Sequence, residues 1–235
     1  MNNVRTVSDT KRTFYTLHTR PINTIYRRVV EELMVEMHLL SVNVDFSYNS
    51  IYALGVVTTF ERFMQGYLPE REKESVFNAL LQAVEEDPQH YEQDAQRLQG
   101  LARSLSAREL ITWLSQTNPL DRDAELQFSL NKIANDPNFK YNRLFAIGIF
   151  SLLELSDPEL VKDEKQRTEA LKTIATGLHL SDDKLSKDLE LYRSNLDKMT
   201  QAIVVMADIL LADRKKREQR TQQSSTTVAP PTAND

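Results

Sequence analysis

Apolar residues recur at helical spacing along almost the whole chain, and that pattern restricts it to an all-α fold. In residues 22–40 one stripe holds Ile22, Ile25, Tyr26, Val29, Val30, Leu33, Met37 and Leu40, with Arg27, Arg28, Glu31 and Glu32 opposite. Steps of three and four follow the helical period and not the two-residue period of a strand. No run alternates over several residues between turn signals, so no strand is expected. Pro21 stands where a first helical residue tolerates a missing N–H, which starts this helix at about residue 21.

The same spacing predicts helices over 49–66, with Gly66 as the stop, and over 70–85, ended by Asp87-Pro88. That dipeptide recurs as Asp136-Pro137 and Asp157-Pro158, with Asn118-Pro119 as a variant. An Asx side chain caps free N–H groups and proline sets φ for a first turn, so such pairs punctuate helix–helix junctions. Ser106 and Glu109 form a capping box ahead of Leu110, Ile111, Trp113 and Leu114. Leu144 to Leu155 is apolar on nearly all sides, as expected of a central buried helix.

The last helix is set apart by its length. Ser181 is a good N-cap, and Leu185, Leu189, Tyr192, Leu196, Met199, Ile203, Met206 and Leu210 step in heptad fashion. A helix over 181–219 is about 57 Å long at ~1.5 Å per residue, so part of it is expected to project. Residues 202–212 carry only the charge of Asp208. They need cover on more than one face, from the body or a partner, and the chain's own domain is the more common source. The organisation is therefore a helical bundle over 1–180, the long helix over 181–219, and a Gln-, Ser-, Thr- and Pro-rich disordered tail over 220–235.

Composition removes several kinds of chemistry. With no cysteine there is no disulfide framework, thiol nucleophile or Cys-ligated metal. The 5 glycines are too far apart to build a phosphate-cradling loop. A formal net charge of −5 argues against a general nucleic-acid binder. His18, His38, His90 and His179 lack the Glu-x-x-His spacing of a di-iron bundle, and Glu86 with His90 is interrupted by Pro88. Ser8 to Lys11 and Ser181 to Lys184 match Ser-x-x-Lys without its companion motifs and read as polar helix starts. No catalytic residue, cofactor site or metal site is assigned.

Residues 1–13 are polar and lack an apolar stretch behind their cations, so no signal peptide is expected. The most apolar run, Leu144 to Leu153, is too short to span a bilayer, which needs about 20 residues. The basic residues cluster instead at the two ends, with Arg214, Lys215, Lys216, Arg217 and Arg220 against Glu218 near the C-terminus. Such a cluster suits an anionic lipid surface or simply a solvated helix end.

Residues 4–40, VRTVSDTKRTFYTLHTRPINTIYRRVVEELMVEMHLL, and 46–67, FSYNSIYALGVVTTFERFMQGY, resemble the thylakoid formation protein family, also described as photosystem II biogenesis factors. Weaker likeness extends through RELITWL (Arg108 to Leu114) and FKYNRLFAIGIFSLLEL (Phe139 to Leu155). The absence of a chloroplast transit peptide fits a cyanobacterial member. The resemblance implies a non-enzymatic, peripheral protein on the cytoplasmic side of the thylakoid membrane, supporting photosystem II assembly and repair. It also implies association with the FtsH-type membrane protease, whose complexes the family helps to accumulate or stabilise. The family has no agreed catalytic motif to carry over.

A mechanism consistent with this has Leu185, Leu189, Tyr192 and Leu196 binding a partner while Arg214, Lys215, Lys216, Arg217 and Arg220 meet the membrane surface. The protein is expected to be a monomer without its partner. Two other readings stay open: an all-α enzyme with an unrecognised pocket, and a homodimeric coiled-coil adaptor.

Overall fold

The computed structural model describes residues 5–226, and their side chains except at 210 and 220–226. The described residues form eleven helices and no strand. In chain order they are α1 (Val7–Leu17), α2 (Thr24–Ser41), α3 (Ser50–Phe63), α4 (Glu72–Ala83), α5 (Pro88–Ser104) and α6 (Ala107–Leu114). There follow α7 (Ala124–Asn135), α8 (Arg143–Ser156), α9 (Pro158–Lys162), α10 (Glu164–Gly177) and α11 (Asp182–Thr226).

Side-chain caps set most of the boundaries. The Asn49 side chain accepts from the Tyr52 N–H at 2.9 Å and starts α3. Asn142 does the same for α8 through the Phe145 N–H, also at 2.9 Å. Asp87 and Asp157 cap α5 and α9 with proline in the first turn, while Asn118-Pro119 and Asp136-Pro137 lie in connections and start no helix. The Ser106–Glu109 capping box is present. A second box, Thr6 with Asp9, opens α1. The start expected at Pro21 moves to Thr24, because the Asn23 side chain accepts from the Ile25 N–H and fixes the end of the helix there. Gly66, at φ 78°, takes the left-handed turn after α3 that a Cβ would resist.

The core is built on α3 against α8. Residues 51–60 of α3 and 144–153 of α8 are all buried. Gly55 and Gly148 lie at the crossing. A Cβ on Gly55 would sit 1.8 Å from the Leu144 carbonyl oxygen, and one on Gly148 would sit 2.0 Å from that of Ile51. The helices therefore touch backbone to backbone, a contact open only to glycine. Beside it the Ser151 hydroxyl donates to Thr58 Oγ1 at 3.2 Å, satisfying a polar group in a dry interface. Helix α5 packs on both, burying Tyr91, Ala95, Leu98 and Ala102. Helices α1, α2 and α4 contact one another, and α6, α9 and α10 gather beside α8.

The chain divides into two compact units between Ser194 and Asn195, inside α11 and not at residue 180. The Lys184 N–H donates to Ser181 Oγ at 3.3 Å, as expected of an N-cap. Helix α11 runs to Thr226, seven residues past the expected end at 219, since residues 220–226 contain neither glycine nor proline to stop it. The rest of the predicted tail, 227–235, lies outside the described residues.

Gly55→Ala or Gly148→Ala should lower unfolding free energy by at least about 2 kcal/mol, because the crossing leaves no room for a methyl group. Gly100→Ala, with open space around its Cβ in α5, should raise it by about 0.5–1 kcal/mol. Urea denaturation of the three variants checks both, and a Gly55→Ala midpoint equal to wild type would contradict the backbone contact.

Candidate functional site

The residues expected to bind a partner on α11 turn out to face inward. Leu185, Leu189 and Tyr192 are buried, and Leu196 is half-buried. The Tyr192 ring meets Phe63 of α3 edge-on at 5.9 Å and Phe150 of α8 at 6.5 Å. Burial pushes its hydroxyl up to about 12, with the Arg62 guanidinium pulling the other way. Arg62 in turn is paired with Glu154. A second fastening lies nearer the start of α11. The Tyr141 hydroxyl donates to Asp188 at 2.8 Å, and Lys184 Nζ stands 4.7 Å from the centre of the Tyr141 ring. These contacts correct the sequence expectation. The heptad stripe of residues 185–192 is core, fixed by aromatic packing and flanking charges, and is not open to a partner.

The distal part of α11, from Asn195, is mixed: Met199 is buried and Ile203 and Met206 are half-buried, while four apolar residues are exposed. Val204, Val205, Ile209 and Leu211 are 55%, 56%, 57% and 56% exposed. They lie off the heptad stripe, so even a neighbour covering that stripe would leave them open. Arg214, Lys215, Lys216 and Arg217 are exposed, and Arg214 Nε bonds Glu218 at 3.0 Å. Arg220 falls outside the described side chains. A run of eleven residues with one charge and exposed apolar side chains is joined here to a cationic end.

The histidines serve local roles. His38 Nδ1 bonds Thr10 Oγ1 at 2.9 Å in the core between α1 and α2. His18 Nδ1 bonds Ser75 Oγ at 3.1 Å. His90 Nε2 reaches Asp94 at 3.4 Å, and Asp94 also accepts from the Tyr48 hydroxyl at 2.7 Å. His90, Tyr48 and Tyr91 form an edge-on and tilted aromatic cluster with ring centres 5.0 and 5.1 Å apart, which sequence spacing did not reveal. No group of three His, Asp or Glu residues able to hold a metal occurs among the described residues.

A model of the thylakoid formation protein matches residues 6–221. The chain belongs to the thylakoid formation protein family. It is 79% identical to Protein Thf1 of Nostoc punctiforme over 235 residues, covering 100% of each chain. Against Protein Thf1 of Gloeothece citriformis it is 58% identical over 221 residues, covering 94% of this chain and 98% of that one. A solved structure of Psb29 at 1.55 Å superposes with a TM-score of 0.79 at 42% identity, over 91% of this chain and 99% of the other. The family resemblance read from residues 4–67 and the all-α class with its long C-terminal helix both hold. Membership in the family ties the protein to thylakoid formation, and no described helix is long and apolar enough to cross a membrane.

The two buried histidines make stability depend on pH. Burial lowers the pKa of both His18 and His38; the Glu72 carboxylate partly opposes it at His18, and Arg5 adds to it at His38. Their folded pKa lies below the unfolded value of about 6.5, so the unfolded chain binds more protons. The stability they permit is full above about pH 6.5 and falls as pH drops through the folded pKa. The urea midpoint should therefore decline between pH 7 and pH 5, and a His18→Gln/His38→Gln double variant should flatten that decline. A wild-type midpoint unchanged over this range would contradict it.

Proposed function

We propose that this protein is a non-catalytic docking factor at the cytoplasmic face of the thylakoid membrane. In this reading it supports photosystem II assembly and repair by binding and stabilising FtsH-type membrane protease complexes. Its family membership supports the thylakoid setting. The observation that carries the reading is the distal part of α11, with Val204, Val205, Ile209 and Leu211 uncovered and a cationic end beyond them. A helix apolar on several sides is enclosed when at work, and in this reading the protease complex encloses it. The anchored residues 185–192 hold the base of the helix while the distal residues make the contact. Arg214, Lys215, Lys216 and Arg217 add a salt-sensitive attraction to the anionic thylakoid surface, roughly 1 kcal/mol per cation near the lipid.

Replacing Val204, Val205, Ile209 and Leu211 together with Gln should leave the fold intact, since all four side chains are exposed. The variant should no longer co-purify the protease in affinity capture from thylakoid membranes. Undiminished recovery would refute the docking role of this segment. Reversing Arg214, Lys215, Lys216 and Arg217 to Glu should release the protein from isolated membranes, and unchanged pelleting would refute the lipid contact alone. Sedimentation separates the reading from a coiled-coil dimer: the wild-type chain should run as a monomer that the Gln variant matches, whereas self-pairing would give a dimer lost in the variant.

A further inference from the structure

Helix α2 carries two apolar stripes. Tyr26, Val30, Leu33, Met34 and Met37 are buried against the bundle. On the opposite side Val35, Leu39 and Val42 step by four and three and so share a second face. Val35 is half-buried, while Leu39 and Val42 are 56% and 43% exposed. A helix with an apolar stripe turned away from its own core has a face without a partner.

This face is the floor of a groove. A hollow of about 780 Å³ lies between α2, Lys11 of α1 and Arg143 of α8. A second, of about 440 Å³, shares Glu36, Leu39 and Arg143 with the first and runs on to Tyr141 and the start of α11. They follow α2 for roughly 24 Å, the length of a helix of about four turns.

The carboxylates of the groove are engaged. Lys11 holds Glu31 at 2.8 Å, Arg28 holds Glu32 at 2.9 Å, Arg143 pairs with Glu36, and Asp188 accepts from the Tyr141 hydroxyl at 2.8 Å. The cations are in surplus, six against those four acids, in a chain whose net charge is −5. Arg27 acts on Glu31 through space without pairing with it, and Lys140 is exposed. Lys184 stands over the Tyr141 ring. None of these three forms an ion pair among the described residues.

We propose that this groove docks an acidic amphipathic helix of another protein, its apolar residues on Val35 and Leu39 and its carboxylates toward Arg27, Lys140 and Lys184. Anchors three and four residues apart match the spacing of the floor. Cations interleaved with satisfied carboxylates suit a partner with discrete charges. The uniform negative charge of a lipid surface would press against Glu31, Glu32 and Glu36 as well. The surface belongs to the bundle and does not depend on the docking role of residues 202–212.

The test follows fluorescence anisotropy of a labelled synthetic peptide of about 18 residues, titrated with the full-length chain. The peptide is alanine-based, with leucines spaced by three and four and glutamates flanking them. It should bind saturably, and a version with lysine for glutamate should not. Leu39→Gln, and separately Arg27→Glu with Lys140→Glu, all at exposed positions, should each weaken binding by about tenfold or more. Arg103→Glu with Lys165→Glu makes the same charge change at exposed positions of α5 and α10, and should weaken it by less than about twofold. Replacing Val204, Val205, Ile209 and Leu211 with Gln should leave peptide binding unchanged, which keeps this result separate from that for the distal segment. No saturable binding, equal binding of the lysine peptide, or an equal loss in the α5–α10 variant would overturn the proposal. So would Leu39-dependent binding to phosphatidylglycerol vesicles in place of the peptide.

Discussion

The contact between the backbones of α3 and α8 at Gly55 and Gly148 is the constraint on which the rest of the fold rests. Because neither residue carries a Cβ, the carbonyl oxygens of Leu144 and Ile51 occupy the space where a side chain would begin. Two helices that approach this closely fix each other's rotation and register, since a slide of one residue would drive a methyl or larger group into a carbonyl. That register brings Phe63 and Arg62 at the end of α3 together with Phe150 and Glu154 of α8, which form the seat of Tyr192. An interaction at the centre of the bundle thus determines where α11 is held.

Along α11 one sequence pattern performs two tasks. Over residues 185–192 the heptad stripe is satisfied by the bundle, with Tyr141–Asp188 and Arg62–Glu154 bordering it. Beyond Asn195 apolar residues appear off the stripe as well, and those at 204, 205, 209 and 211 stay in solvent. Exposed β-branched and leucine side chains in such a run carry a solvation cost of about 1.5–3 kcal/mol each relative to burial. Inside the bundle Thr10 bonds His38 and Ser151 bonds Thr58.

Much of the fold was legible in the residues. The stripes of α2, α3 and α8, the Ser106–Glu109 box and the Ser181 cap follow from local rules that need no knowledge of the partner helix. The glycine crossing did not follow. Gly55 and Gly148 each interrupt an apolar helix, but which helices they join is a tertiary fact that one chain read locally does not contain. The site was misread for a related reason. A heptad stripe gives the same signal whether it meets its own bundle or another chain, so Leu185, Leu189 and Tyr192 were placed on the wrong side of that choice. The stronger signal was the loss of amphipathicity over 202–212, where apolar residues outnumber what one neighbour can cover.

The division of α11 into a held base and an exposed docking segment is open to hydrogen–deuterium exchange on the full chain. Alone, amides of residues 200–217 should exchange much faster than those of α3 and α8. With thylakoid membranes carrying the protease, protection should appear in 200–217 while α3 and α8 keep their rates. Unaltered exchange in 200–217, or protection confined to another surface of the bundle, would contradict the account.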